Sequence, residues 1–94
     1  MPIGMLTLHI HLPGCSSLKE KRSRIKPLLA RLHREFNISV AEMDYLDAWQ
    51  ESLIACVLVS NDHGVVQSSL QHIVNWIEAN WPDIYVAADQ IEIL

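Results

Sequence analysis

The seven Lys and Arg residues of this 94-residue chain all lie in one short segment, residues 19–34. Residues 19–35 contain those cations and only two acids, whereas the remaining nine acids are spread over the rest of the chain, for a net charge of −4. Such a basic segment attracts phosphate, an acidic partner or the acidic surface of a second copy. The residues predicted to contact phosphate are Lys19, Lys21, Arg22, Arg24, Lys26, Arg31 and Arg34.

The basic segment predicts binding by charge and not by base recognition. No Phe, Tyr or Trp lies among the cations, so base stacking by this segment is not expected. Phosphate neutralisation would give sequence-tolerant contact with structured RNA. A solvated helix face with no ligand is the alternative explanation of such a charge run.

His9 and His11 are the first candidates for a metal site. Two residues apart on a strand, they project to the same side and could ligate a metal ion. No third ligand is evident nearby, so neither a metal nor another cofactor is predicted, and the histidines are expected at a surface or an interface. Cys15 and Cys56 are expected to be free thiols in a reducing cytoplasm.

An acidic cluster surrounds a predicted hairpin and consists of Glu42, Asp44, Asp47 and Glu51. Carboxylates can perform acid–base chemistry or hold Mg²⁺. No nucleophile, general base and orienting group occur together, and no glycine-rich phosphate loop accompanies the cluster. The prediction is a non-enzymatic protein, with the acids in a solvated loop or docking the basic helix of a neighbouring molecule.

Periodicity places these residues on a small set of elements. Leu6, Leu8, Ile10 and Leu12 alternate with more polar residues and predict a strand that ends at Pro13. Ser17 and Glu20 fit a capping box, which predicts a helix over residues 18–36 with the cations on its outer surface. Lys21 and Arg22 flank the apolar stripe, and their charges are expected to remain in water. Pro27 is expected to kink this helix or to split it.

Further strands are predicted at residues 37–41, 49–60 and 84–94, with a second helix between Asp62 and Asn80. The order β-α-β-β-α-β predicts one α+β domain over residues 1–94, with a ferredoxin-like fold. Both helices would cover one face of a four-stranded antiparallel sheet. Because Leu53–Val59 is apolar on both sides of the pleat, a second copy is expected to cover the open face as a homodimer.

No membrane or export segment is predicted. The first twelve residues lack a basic start and are interrupted by Thr7, His9 and His11. No apolar run approaches the ~20 residues needed to span a bilayer. The protein is therefore expected in the cytoplasm.

Four motifs of this chain closely resemble motifs of the YlxP-like family of small bacterial proteins. They occur in the family's order and spacing, and they are Leu12-Pro13-Gly14 with Ser17–Arg22, Phe36–Glu42, Asp47–Gln50 and Val59–Asp62. The resemblance implies a ferredoxin-like fold, a cytoplasmic bacterial protein and no assigned enzymatic activity. Genes of this family often lie beside genes for translation and ribosome maturation, which favours a ribosome-related or other RNA partner. The alternative is a homodimeric interaction module that binds an acidic protein and no nucleic acid.

Overall fold

The computed structural model describes residues 2–94 and contains six regular elements. In chain order they are β1 (Ile3–His11), α1 (Leu18–Glu35), β2 (Ser39–Asp44), β3 (Glu51–Val59), α2 (His63–Asn80) and β4 (Tyr85–Ile93). The strands form one sheet in the order β2-β3-β1-β4. Every neighbouring pair is antiparallel. The predicted ferredoxin-like α+β fold is confirmed.

The core lies between one face of the sheet and the two helices. The alternating apolar residues of β1 that were predicted to face inward, Leu6, Leu8 and Ile10, are fully buried. They pack with Ile54 and Cys56 of β3 and with the apolar stripes of α1 and α2. This side of the sheet is therefore closed within one chain.

Helix α1 begins with the predicted cap. The Ser17 hydroxyl accepts a hydrogen bond from the Glu20 amide at 3.0 Å. The Glu20 carboxylate reaches back one residue further than a standard capping box and accepts from the Ser16 amide at 2.6 Å. This backbone hydrogen bond from Ser16 is the main cause that lowers the pKa of Glu20.

Pro27 lies inside α1, and the helix continues through it to Glu35 as one element. Of the two outcomes expected at Pro27, a kink or a split, the structure excludes the split. The ring lies on the exposed side, and the apolar contacts of Ile25, Leu28 and Leu32 with the core hold both halves against the sheet. Only the hydrogen bond to the Ser23 carbonyl is lost, since proline has no N–H.

The opposite face of the sheet is covered by no element in residues 2–94. Along β3, Ile54 and Cys56 are buried, whereas Val57 and Val59 are 37% and 59% exposed. As predicted, this face has no helix of its own within residues 2–94, and its cover by a second copy stays a prediction. The open face presents apolar and small side chains in register, among them Met5 opposite Val57 and Thr7 opposite Ala55.

Strand β2 extends further than predicted, to Asp44, and includes a register shift between Glu42 and Asp44. Tyr45 follows with φ of 60°, a left-handed conformation that non-glycine residues rarely adopt. Its amide donates to the Asp44 side chain at 2.7 Å. The bulge and this turn carry residues 45–50 back toward the start of α1.

Candidate nucleic-acid interface

The outer surface of α1 retains an exposed group of cations. Lys19, Arg22, Lys26 and Arg34 are exposed. Within residues 2–94, none of these four is in an ion pair with a carboxylate. We call these four residues the basic surface. Because their charges are not neutralised by the chain's own acids, they remain available to an external anion.

Lys21 departs from the sequence-based expectation. It is only 2% exposed, and its Nζ lies 2.9 Å from Glu42 Oε2. Nζ also donates a hydrogen bond of 2.6 Å to the Tyr45 carbonyl. The expectation that the charge of Lys21 stays in water is therefore wrong. Periodicity placed Lys21 at the margin of the apolar stripe, but only the packed β2 strand supplies the carboxylate that makes its burial favourable.

Arg24 and Arg31 are held by other parts of the chain. The Arg24 guanidinium donates to the Pro13 carbonyl at 3.0 Å and to the Asp83 carbonyl. Arg31 lies 3.4 Å from the Glu35 carboxylate and 5.5 Å from the centre of the Trp76 ring. These two side chains link α1 to neighbouring segments, and they are less free to contact a ligand than the basic surface.

A groove opens beside the basic surface, between α1 and the segment after β2. Arg22 and Lys26 line one side, and Leu46 lines the other. Leu46 is 59% exposed, and Leu18, Ile25 and Leu29 of α1 line the same groove. Sequence reasoning did not identify Leu46; the only signal for it was a large aliphatic residue in an otherwise polar loop.

The acidic cluster divides into separate environments. Glu42 lies beside the groove with Lys21. Glu51 lies on the open face of the sheet, where its two carboxylate oxygens contact His9 Nε2 at 2.6 Å and His11 Nδ1 at 3.2 Å. The predicted orientation of both histidines toward one side is confirmed. Asp44 binds the Tyr45 amide, and Asp47 is exposed.

The histidine pair is further ordered by an aromatic contact. The His9 and Tyr45 rings stack with centres 5.2 Å apart and planes 8° from parallel. Burial opposes ionisation of Glu51, but the hydrogen bonds from His11 and His9 outweigh it, so the pKa of Glu51 lies below its ordinary value. Within residues 2–94, no group of three or more His, Cys, Asp or Glu side chains has an arrangement suited to a metal ion.

The two cysteines are free and buried. Burial raises the pKa of the Cys56 thiol to about 12, which keeps it protonated and unreactive at neutral pH. Cys15 contacts the Ser17 carbonyl with its Sγ at 3.5 Å. Both thiols therefore act as small core residues.

Neither helix of residues 2–94 has the length and apolar character required to cross a bilayer.

Comparison with known proteins identifies the family. Residues 3–90 match the family described as "Protein of unknown function (DUF503)". The Bacillus subtilis strain 168 protein described as "Uncharacterized protein YlxP" is 32% identical to this chain over 82 residues, which cover 87% of this chain and 88% of that protein. The chain therefore belongs to the DUF503 family, and the resemblance to YlxP-like proteins predicted from its motifs is confirmed.

Proposed function

We propose that this protein is a non-enzymatic, cytoplasmic binding protein whose first helix contacts the phosphates of structured RNA. The observation that carries the proposal is the basic surface, where Lys19, Arg22, Lys26 and Arg34 are exposed without an acidic partner in residues 2–94. Every other Lys or Arg of the chain contacts a carbonyl or a carboxylate. Some cations of the basic segment therefore make internal contacts, and the four of the basic surface are available to a ligand.

The physical mechanism is counterion release. Each phosphate that a Lys or Arg neutralises frees a condensed cation, so affinity falls as salt rises. A rigid helix holds its cations at fixed separations, which lowers the entropy lost on binding. The neighbourhood of translation genes that the YlxP resemblance implies favours a ribosomal RNA or another structured RNA as the partner.

The proposal is tested by the salt dependence of RNA affinity. The probe is a fluorescein-labelled RNA hairpin with a single-stranded loop. It is titrated with protein at KCl concentrations from about 50 to about 200 mM, a range over which affinities that depend on phosphate contacts fall strongly. Arg22→Ala, Lys26→Ala and Arg34→Ala should each reduce the slope of log affinity against log salt by about 0.7–0.9 per lost phosphate contact.

The matched control is Arg24→Met, which removes a cation of the same helix that the Pro13 and Asp83 carbonyls already hold. It should leave the salt slope unchanged. If all variants bind the hairpin with the slope of the parent protein, the basic surface does not contact RNA and the proposal is rejected.

A second candidate function rests on the open face of the sheet. Its central rows carry Met5, Thr7, Ala55 and Val57, of which only Thr7 has a polar side chain. Three strands of nine residues and one of six give a face of at most roughly 19 Å by 30 Å. The accessible area of such a face, with the uneven surface of its side chains included, approaches the ~800 Å² that each partner buries in a standard interface. The open face supports a homodimer that displays one basic surface on each outer side, and in this alternative those basic surfaces bind an acidic protein and no nucleic acid.

The dimer is tested by light scattering coupled to size-exclusion chromatography. Val57→Lys places a charge on the open face at a position that is already 37% exposed, so the fold should tolerate it. Val65→Lys, at an exposed position of α2, is the control. A dimeric parent with a monomeric Val57→Lys variant is the expected result, and a monomeric parent at micromolar concentration rules out the dimer.

A further inference from the structure

The groove beside the basic surface has the dimensions and polarity of a small-ligand site. Its volume is about 290 Å³, near the lower limit for small-molecule pockets in proteins. The apolar part of its lining is formed by Leu18, Ile25 and Leu29 of α1 and by Leu46. Aliphatic walls of this kind bury the faces of a flat ring, because they displace water from both sides of it.

Two cations of the basic surface stand at this groove. Arg22 and Lys26 line it, lie four residues apart on α1 and are exposed. Side chains four apart on a helix point the same way, so both can approach one phosphate group. The groove thus combines an apolar interior with a positively charged rim.

The third component is a carboxylate oxygen without a partner. Glu42 Oε2 is occupied by Lys21 Nζ at 2.9 Å and by Ser52 Oγ at 2.6 Å. Glu42 Oε1 accepts no hydrogen bond from residues 2–94. The Glu42 side chain lines the groove and keeps 20% exposure. It can therefore accept a hydrogen bond from a ligand that offers an N–H donor.

We infer that this groove binds one unstacked nucleotide of the RNA, with a base whose exocyclic amino group donates to Glu42 while Arg22 and Lys26 hold its phosphate. The inference rests on the proposed RNA contact and adds base selectivity to it. Single-stranded nucleotides are read by their exposed edges, and carboxylates accept from the N4 amino group of cytosine. Uracil carries a carbonyl oxygen at that position, and this oxygen would lie unfavourably close to the carboxylate whenever the adjacent N3–H of uracil donates to it.

An acidic peptide fits the same groove less well. Its carboxylates would be attracted by Arg22 and Lys26, but its acidic side chains offer no donor to Glu42 Oε1. Only a ligand with an anionic end and a hydrogen-bond donor matches both halves of the site.

The test is an NMR titration of the full-length, ¹⁵N-labelled protein with cytidine 5′-monophosphate, uridine 5′-monophosphate and ribose 5-phosphate at one salt concentration. These probes share the phosphate, and the two nucleotides differ only at positions 3 and 4 of the base. Cytidine monophosphate should shift the amides of residues 42–46 and bind roughly tenfold more tightly than uridine monophosphate. Ribose 5-phosphate should affect α1 and leave residues 42–46 unchanged.

Matched variants locate the site. Leu46→Asp adds an acid at the groove, and Val65→Asp adds one at an exposed apolar position on α2. Only Leu46→Asp should abolish cytidine monophosphate binding. Likewise Lys26→Ala should weaken it, whereas Lys19→Ala, outside the groove lining, should not.

Equal affinity for the two nucleotides overturns the inference, as does tighter, Leu46-dependent binding of a hexaglutamate peptide. A salt-dependent affinity for the RNA hairpin in the same protein would then leave the proposed phosphate contact standing. Failure of the inference can therefore be distinguished from failure of the proposed function. The salt slope with the hairpin measures phosphate contacts, whereas the affinity ratio of the two nucleotides measures base recognition.

Discussion

Lys21 Nζ lies 2.9 Å from Glu42 Oε2 and joins α1 to the edge strand β2. The same ammonium donates to the Tyr45 carbonyl at 2.6 Å, and Ser52 donates to the same carboxylate oxygen. A single buried cation thus holds the end of β2 and the following turn against the helix. Within the basic segment, Lys21 has a structural role, while Arg22 beside it remains exposed.

Lys21→Met should destabilise the protein by about 2–4 kcal/mol, because it leaves a largely enclosed carboxylate and a carbonyl without their shared donor. Urea unfolding followed by circular dichroism measures this difference. Lys19→Met, on the exposed side of the same helix, should change the free energy of unfolding by less than about 0.5 kcal/mol. If Lys21→Met also lowers the free energy of unfolding by less than about 0.5 kcal/mol, the Lys21–Glu42 pair contributes little to stability.

Pro27→Ala should stabilise the protein by about 1–2 kcal/mol. Alanine restores an N–H for the Ser23 carbonyl and replaces a residue that costs ~3 kcal/mol in a helix interior, a gain partly offset by the greater freedom of the unfolded chain. Pro27 is exposed, so little packing is lost. Thermal unfolding of the parent protein and of Pro27→Ala gives the sign of the stability change. A lower melting temperature for Pro27→Ala would contradict a continuous, unsplit α1.

The contacts of Glu51 predict a specific dependence of stability on pH. Its pKa is lowered from 4.5 in the folded protein, so the unfolded chain binds the proton more readily. The stabilisation is present above pH 4.5 and is lost as pH falls through the lower, folded pKa. Because the side chain is 37% exposed, solvent screening keeps the effect modest.

The matching variant is Glu51→Gln. Its free energy of unfolding should fall less steeply than that of the parent as pH decreases from 5 toward 3, the range about and below the ordinary pKa of the carboxyl group. Urea titrations at several pH values measure both curves. Parallel curves would show that His9 and His11 do not stabilise the ionised carboxylate.

Gly4→Ala should destabilise the fold by about 1–3 kcal/mol, the usual range for added volume in a packed core. A Cβ at Gly4 would overlap Val66 Cγ1 and lie 2.8 Å from Leu70 Cδ1, so α2 would have to move from the sheet. Gly64→Ala is the contrasting variant, because its Cβ would meet only the Asp62 carboxylate at 3.2 Å. Chemical unfolding of both variants should show a clearly larger loss of stability for Gly4→Ala than for Gly64→Ala.

Local patterns predicted the elements because their signals lie within a few residues. The two-residue alternation of β1 and the Ser17 cap of α1 depend on nearest neighbours and appear in the structure as expected. The bulge before Asp44 extended β2 beyond its predicted end. Nothing in the local pattern indicated it, since a bulge is set by the partner strand.

The candidate site was only partly predictable. A concentration of cations over residues 19–34 is a property of composition and required no structure. Which of them are available to a ligand depended on distant residues, because the carbonyls of Pro13 and Asp83 hold Arg24 and the carboxylate of Glu42 holds Lys21.

The amino-acid sequence by itself determined the α+β fold and the location of the charge, since hydrophobic period and cap chemistry act along the chain. Only the tertiary structure decided that Lys21 is enclosed and that Leu46 closes a groove beside Arg22 and Lys26. Those contacts join segments far apart in the chain. They form only when the right-handed crossovers dock α1 on the sheet next to β2.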